Sequence, residues 1–111
     1  MGWALAALLM LLLALALRQL SAGDRLGAQL QQQHQAKVLM YGASWCGVCA
    51  RARRDFAAAG IEYTELDVDS SAENNHQFRQ LGGVAVPLFV VNGRVYRGYN
   101  RQQLVRALAA N

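Results

Sequence analysis

Cysteine is scarce in this chain: among 111 residues only Cys46 and Cys49 are cysteines. They stand three positions apart, and a bridge between them closes too small a loop to restrain a fold, so a disulfide framework is excluded. The two histidines, His34 and His76, lie far from each other and from metal-site spacing, so no metal is expected. Each stands among polar neighbours, reads as a solvated surface residue and receives no role. Proline occurs once, at Pro87. Acidic residues are missing from Arg79 to the end, where Arg79, Arg94, Arg97, Arg101 and Arg106 stand. That basic third suits an anionic small molecule or an acidic partner surface. Its arginines are scattered and no nucleic-acid motif accompanies them, which argues against nucleic acid. No internal repeat is present.

What the chain does have is concentrated in VLMYGASWCGVC, residues Val38 to Cys49. A short apolar run reads as a buried strand, Gly42 breaks it, and the cysteine pair follows at once. The next stretch, ARARRDFAAAG, is rich in helix formers and closes on Gly60. The strand therefore delivers a dithiol to the first turn of a helix. There the free N–H groups and the helix dipole stabilise a thiolate relative to its thiol. Cys49, Ala52 and Phe56 share one helix face, which points Cys49 to the core and leaves Cys46 as the exposed, attacking sulfur. Arg51, Arg53 and Arg54 add positive potential to the same helix.

Three segments follow from composition. Residues 1–23 are a hydrophobic segment, in which Gly2 to Leu17 is unbroken and apolar. As a helix this run spans roughly 24 Å, a little under a bilayer's hydrocarbon core. It reads as a membrane anchor through residues 2–17 or as a signal removed after export, with Ser21-Ala22-Gly23 supplying small residues for cleavage. No Lys or Arg precedes the run, whereas Arg18 and Arg25 follow it, an asymmetry that would keep the domain cytoplasmic. Residues 24–36 carry only Leu26 and Leu30 on a glutamine-rich background and read as a polar tether or peripheral helix.

Residues 37–111 form the folded domain. After the dithiol helix, Ile61 to Asp69 reads as a strand parallel to the first, and a helix capped by Ser70 or Ser71 runs from Ala72 to Leu81. LFVVN is a buried strand, Asn92-Gly93 a two-residue hairpin turn, RVYRG the returning strand and RQQLVRALAA a closing helix. The base rate for X-Pro bonds makes Val86-Pro87 trans.

From Lys37 to Ala110 these residues resemble the glutaredoxin branch of the thioredoxin superfamily. The resemblance rests on strand-Cys46-x-x-Cys49-helix, on Val86-Pro87 before the third strand and on Gly98 before the last helix, in family order and spacing. It implies an α/β thioredoxin-like (glutaredoxin) fold, a four-stranded mixed sheet flanked by helices, and a cis bond at Pro87. It also implies a thiol–disulfide oxidoreductase in which Cys46 attacks, Cys49 resolves and Val86 pairs with an extended thiol substrate. Trp45, Val86, Pro87, Gly98, Tyr99 and Asn100 are the implied substrate or glutathione contacts. Trp45 resembles thioredoxin, and Gly98-Tyr99-Asn100 is similar to the corresponding turn of redoxins served by thioredoxin reductase. Ala43 stands where many glutaredoxins carry a lysine, a charge that Arg97 or Arg101 could replace.

The expected partners are a protein disulfide or a glutathione-mixed disulfide. Glutathione is a possible co-substrate and no cofactor is expected to be tightly bound; a glutathione or thioredoxin-reductase-type system is the expected electron donor, and the protein is expected as a monomer. The resemblance leaves two other uses of the pair open: a [2Fe-2S] cluster held with glutathione, and a non-catalytic adaptor.

Overall fold

The computed structural model describes residues 2–20 and 22–110. In chain order the elements are α1 (Gly2–Leu20), α2 (Ala22–His34), β1 (Val38–Gly42), α3 (Gly47–Ala59), β2 (Thr64–Asp67), α4 (Ala72–Gln80), β3 (Leu88–Val91), β4 (Arg94–Arg97) and α5 (Arg101–Ala109). The sheet has four strands in the order β2-β1-β3-β4. β1 runs parallel to β2 and antiparallel to β3, and β3 is antiparallel to β4. The mixed sheet and its helices are those of the thioredoxin-like fold expected from the sequence.

β1 and β3 occupy the middle of the sheet, and every residue of both is buried. Their side chains alternate between two faces. Phe89 meets Phe56 of α3 edge-on at 5.8 Å, while Val90 lies against Gly27 of α2 on the opposite face. Tyr41 shares that second face, where Phe78 of α4 lies 6.4 Å from its ring and Gln77 accepts its hydroxyl proton at 2.9 Å. The sheet is thus sandwiched between α3 with α5 and α2 with α4. Fully burying one such aromatic or aliphatic side chain stabilises the fold by about 1.5–3 kcal/mol.

The hairpin falls at the expected place. Asn92 and Gly93 both adopt positive φ, 52° and 72°, the backbone that a tight two-residue turn between right-twisted strands requires. β2 is shorter than expected. Gly60 ends α3 in the left-handed region at φ 68°, and the Ile61 N–H returns to the Phe56 carbonyl at 2.9 Å. Ile61 is therefore spent on closing the helix, and pairing with β1 starts only at Thr64.

Residues 24–36, expected as a tether or a peripheral helix, belong largely to α2, which is built into the sheet. Leu30 is buried. Asp24 accepts the Val95 N–H at 3.0 Å and Gln31 accepts the Gly93 N–H at 2.6 Å, so the helix supplies acceptors to an edge strand whose donors would otherwise face solvent. His34 departs from its expected solvated state: it is half-buried, and its Nε2 is enclosed without a hydrogen-bond partner. His76 is exposed as expected.

The N-terminal run forms a helix exposed on every side from Gly2 to Leu17. Among the described residues no helix is long and apolar enough to cross a membrane. The expected anchor through residues 2–17 is therefore not supported, since roughly 24 Å of helix falls short of a hydrocarbon core of about 30 Å. Ser21, read as part of a cleavage site, and the side chain of Arg18 lie outside the described residues.

Candidate active site

Gly42, the last residue of β1, stands where its neighbours leave little room for a side chain. A Cβ there would stand 2.8 Å from a Glu65 carboxylate oxygen and 3.5 Å from Cys49 Sγ. The chain then turns through Ala43 to Trp45, closed by the Cys46 N–H donating to the Ala43 carbonyl at 3.2 Å. Cys46 is the N-cap of α3, in extended backbone geometry with φ −83° and ψ 110°. Its sulfur accepts the Cys49 N–H at 3.1 Å. Sulfur thus occupies the place that a serine or asparagine oxygen usually fills at a helix start, aimed at donors with no acceptor in the helix.

Cys46 and Cys49 are joined in a disulfide, with Cα atoms 5.2 Å apart. Cys49 is 0% exposed and Cys46 only 6%. The expected asymmetry keeps its direction, but Cys46 is a nearly covered sulfur rather than an open one. The covering group is the backbone before β3: the Val86-Pro87 bond is cis, and the Val86 carbonyl oxygen lies 3.9 Å from Cys46 Sγ. The trans geometry favoured by base rate is corrected to the cis one implied by the family resemblance.

Exposed apolar side chains stand close in sequence to this sulfur and to Val86. Outside α1, the large apolar side chains that stand exposed among the described residues are Trp45 at 72%, Val48 at 41%, Val84 at 94% and Val105. The first is adjacent to Cys46, the second lies between the cysteines, and the third stands two residues before Val86. A groove of about 420 Å³ runs from Trp45 past Phe78 and Arg79 to Val84, Ala85 and Val86. The Trp45 ring is held there by its Nε1–H, which donates to Asp69 at 2.7 Å. Gly83 keeps the groove wall close, because a Cβ at that position would run into the Phe78 ring.

The other expected contacts are placed differently. Gly98, at φ 79°, donates its N–H to the Pro87 carbonyl at 2.9 Å and ties the last turn to the active-site loop. Tyr99 packs against Phe56 and Phe89 and donates its hydroxyl to Asp55 at 2.6 Å. Burial, helped by Asp55, pushes its phenol up to about 12. Asn100 caps α5, accepting the Gln103 N–H at 3.0 Å. The polar atoms of Tyr99 and Asn100 are engaged within the domain, whereas Trp45, Val86 and Pro87 meet at the dithiol.

Neither arginine suggested as a substitute for the family lysine approaches residue 43. Arg97 donates to the Gly82 and Leu81 carbonyls, and Arg101 lies beside Tyr99. The cation that reaches Ala43 is Arg53. Its Nη2 donates to the Ala43 carbonyl at 3.0 Å, while Nε and Nη2 grip Glu65 of β2 at 2.7 Å each. The hydrogen bonds to Glu65 raise the Arg53 pKa. Sequence reading placed Arg53 only in a general basic face and gave Glu65 no role, because nothing local marks a pair that meets across two elements.

The glutaredoxin family model matches residues 38–96, just over half of the chain. No curated protein matches. Among solved structures, the glutaredoxin of Archaeoglobus fulgidus is 27% identical with a TM-score of 0.59, over 68% of this chain and 89% of its own. A buckwheat glutaredoxin–glutathione complex superposes with a TM-score of 0.59 at 19% identity, over 79% and 92% of the two chains. The thioredoxin-like protein BC3987 does so with 0.58 at 23% identity, over 65% and 100%. The last two speak for the fold alone.

Proposed function

Because the chain belongs to the glutaredoxin family, we propose that it is a thiol–disulfide oxidoreductase that reduces protein disulfides or glutathione-mixed disulfides through Cys46 and Cys49. The observation that carries this reading is the sulfur of Cys46 serving as a helix cap beneath the Val86 carbonyl. Reduced, that sulfur receives the Cys49 N–H and the positive end of α3, which favour its thiolate.

The thiolate attacks one sulfur of a substrate disulfide. The substrate S–S bond breaks, its second sulfur leaves as a thiolate and takes a proton, and a mixed disulfide joins Cys46 to the substrate. Cys49 then loses its proton and attacks Cys46 Sγ. The mixed disulfide breaks, the reduced substrate departs, and the Cys46–Cys49 disulfide remains. Two external thiols, joined into a disulfide as they are oxidised, supply the two electrons and two protons that return the pair to the dithiol. Glutathione is the proposed donor, as befits the family.

The exposed Trp45, Val48 and Val84 favour a protein substrate over a small one, since apolar surface gathered at a reactive group is the mark of a docking site. The backbone of Val86, at the groove's edge, would pair with the extended segment that carries the target sulfur. We further propose that residues 2–17 serve as the apolar region of an export signal, so that the mature domain acts outside the cytoplasm and its reductase activity depends on a thiol donor delivered there. Fractionation with N-terminal sequencing of the mature chain tests this: an intact N-terminus in the cytosolic fraction refutes it.

The decisive test of the chemistry is a pair of variants. Cys46→Ser should abolish turnover on every disulfide. Cys49→Ser should lose protein disulfides but keep glutathione-mixed disulfides, which a second glutathione can resolve. Undiminished activity in both variants would refute the assignment.

A further inference from the structure

We infer that Arg53 is a positioning residue for Cys46: its guanidinium, anchored on Glu65, holds the Ala43 carbonyl and so fixes the turn in which the reactive sulfur is presented. This rests on the oxidoreductase reading and adds to it the group that stands in for the absent lysine.

The argument is geometric. The Ala43 carbonyl has two donors, the Cys46 N–H at 3.2 Å and Arg53 Nη2 at 3.0 Å. A carbonyl has two lone pairs, so both are occupied and its direction is set. The Cys46 N–H is thereby held, and with it the extended backbone that points Sγ at the Cys49 N–H. Arg53 lies two helical turns into α3, too far along for its side chain to cap the helix itself. It works through the loop instead. Its own direction is fixed by the two-pronged grip on Glu65, a geometry that orients as well as attracts. Glu65 lies on the Cys49 side of β1 as well, since a Cβ at Gly42 would meet its carboxylate at 2.8 Å and Cys49 Sγ at 3.5 Å. The guanidinium neutralises a carboxylate that would otherwise repel any thiolate formed there.

A cation acting only by its charge and a cation acting by holding the turn predict different things. Removal of Arg53 alone leaves Glu65 unpaired, so both accounts make the Cys46 thiolate harder to form. Removal of both partners restores the charge balance but not the hold on Ala43. Asp67, paired across the sheet with Gly42 and acting on Arg53, Asp69, bound to the Trp45 indole, and Arg79 along the groove are other charged groups around this turn. They stay in place in every variant, so differences isolate the pair.

The experiment is a pH titration of the reduced full chain, followed by thiolate absorbance and by the rate of alkylation, with melting temperature measured alongside. Wild-type Cys46 should titrate well below an ordinary thiol. Arg53→Met should raise the midpoint by about half a unit to one unit, a three- to tenfold loss of thiolate on the acid side. R53M with Glu65→Gln should stay raised. Arg53→Gln, which keeps helix propensity but cannot reach Ala43, takes the place of R53M if the apolar variant does not fold. A double variant that returns to the wild-type midpoint overturns the inference in favour of charge alone. A lowered melting temperature with an unmoved midpoint overturns it in favour of a purely structural pair. A wild-type Cys46 that titrates like free cysteine sinks the oxidoreductase reading itself, which distinguishes the two failures.

Discussion

Three helices of this domain begin in the same way with different atoms. Cys46, Ser71 and Asn100 all adopt extended backbone and all accept the N–H three residues ahead, at 3.1, 3.1 and 3.0 Å. At α4 and α5 the acceptor is oxygen, the usual choice. At α3 it is sulfur, a weak acceptor as a thiol and a good one as a thiolate. The local geometry is common property of helix starts. What differs is that the α3 cap can ionise once reduced, and that the Val86 carbonyl lies 3.9 Å from it.

The largest expected effect comes from giving α3 an oxygen. Cys46→Ser leaves a hydroxyl that accepts the same N–H, so the variant should fold and melt within a few degrees of the reduced wild type while turnover falls to background. A calorimetric scan beside an activity assay checks both halves. A collapse in melting temperature would mean that the sulfur is structural rather than chemical.

Two tyrosine hydroxyls tie helices to the rest of the domain. Tyr41 donates to Gln77 on α4, and Tyr99, next to the α5 cap, donates to Asp55. Burial pushes both phenols from 10 to about 12. A folded-state value above the unfolded one means stability that is complete below pH 10 and lost as pH rises toward 12. For Tyr41, which has no exposed surface, two units correspond to about 2–3 kcal/mol. Urea midpoints measured from pH 9 to 12 should fall over this window. Tyr41→Phe should flatten its share of the slope, at a cost of about 1–3 kcal/mol for the stranded Gln77 acceptor.

Much of this was legible in the sequence because it is local. The dithiol sits where a strand ends and a helix begins, and Gly42, Gly60 and Asn92-Gly93 mark their own turns. The parts that were not legible depend on which elements meet. Ile61 looks like a strand residue until the left-handed turn at Gly60 sends its N–H back to the Phe56 carbonyl at the α3 terminus. Asp24 and Gln31 look like the polar face of a tether until β4 and the hairpin turn present bare donors to them. Arg53 looks like one of three solvated arginines until β2 brings Glu65 beneath it. The cis bond at Pro87 is a third kind of case: base rates pointed the other way, and only the resemblance to a family carried it.

A smaller effect separates capping from chemistry at the other two helices. Asn100→Ala and Ser71→Ala each remove an oxygen that satisfies one N–H, and each should cost about 1 kcal/mol in a denaturant titration. Activity per folded molecule should not change, since neither side chain acts on the sulfur.

The smallest effect is the most discriminating. Exchanging the oxygen caps, Ser71→Asn and Asn100→Ser, should alter stability by only a few tenths of a kcal/mol, because serine and asparagine rank together at this position. Helix starts that tolerate this exchange are interchangeable supports. The same logic applied to α3 with Cys46→Asn should again preserve the cap and again remove all turnover, since an amide oxygen accepts the Cys49 N–H but cannot attack a disulfide. If Asn100→Ser instead lowered activity several-fold with stability intact, the α5 cap would belong to the substrate surface, and the division between a chemical helix start and two structural ones would fail at that residue.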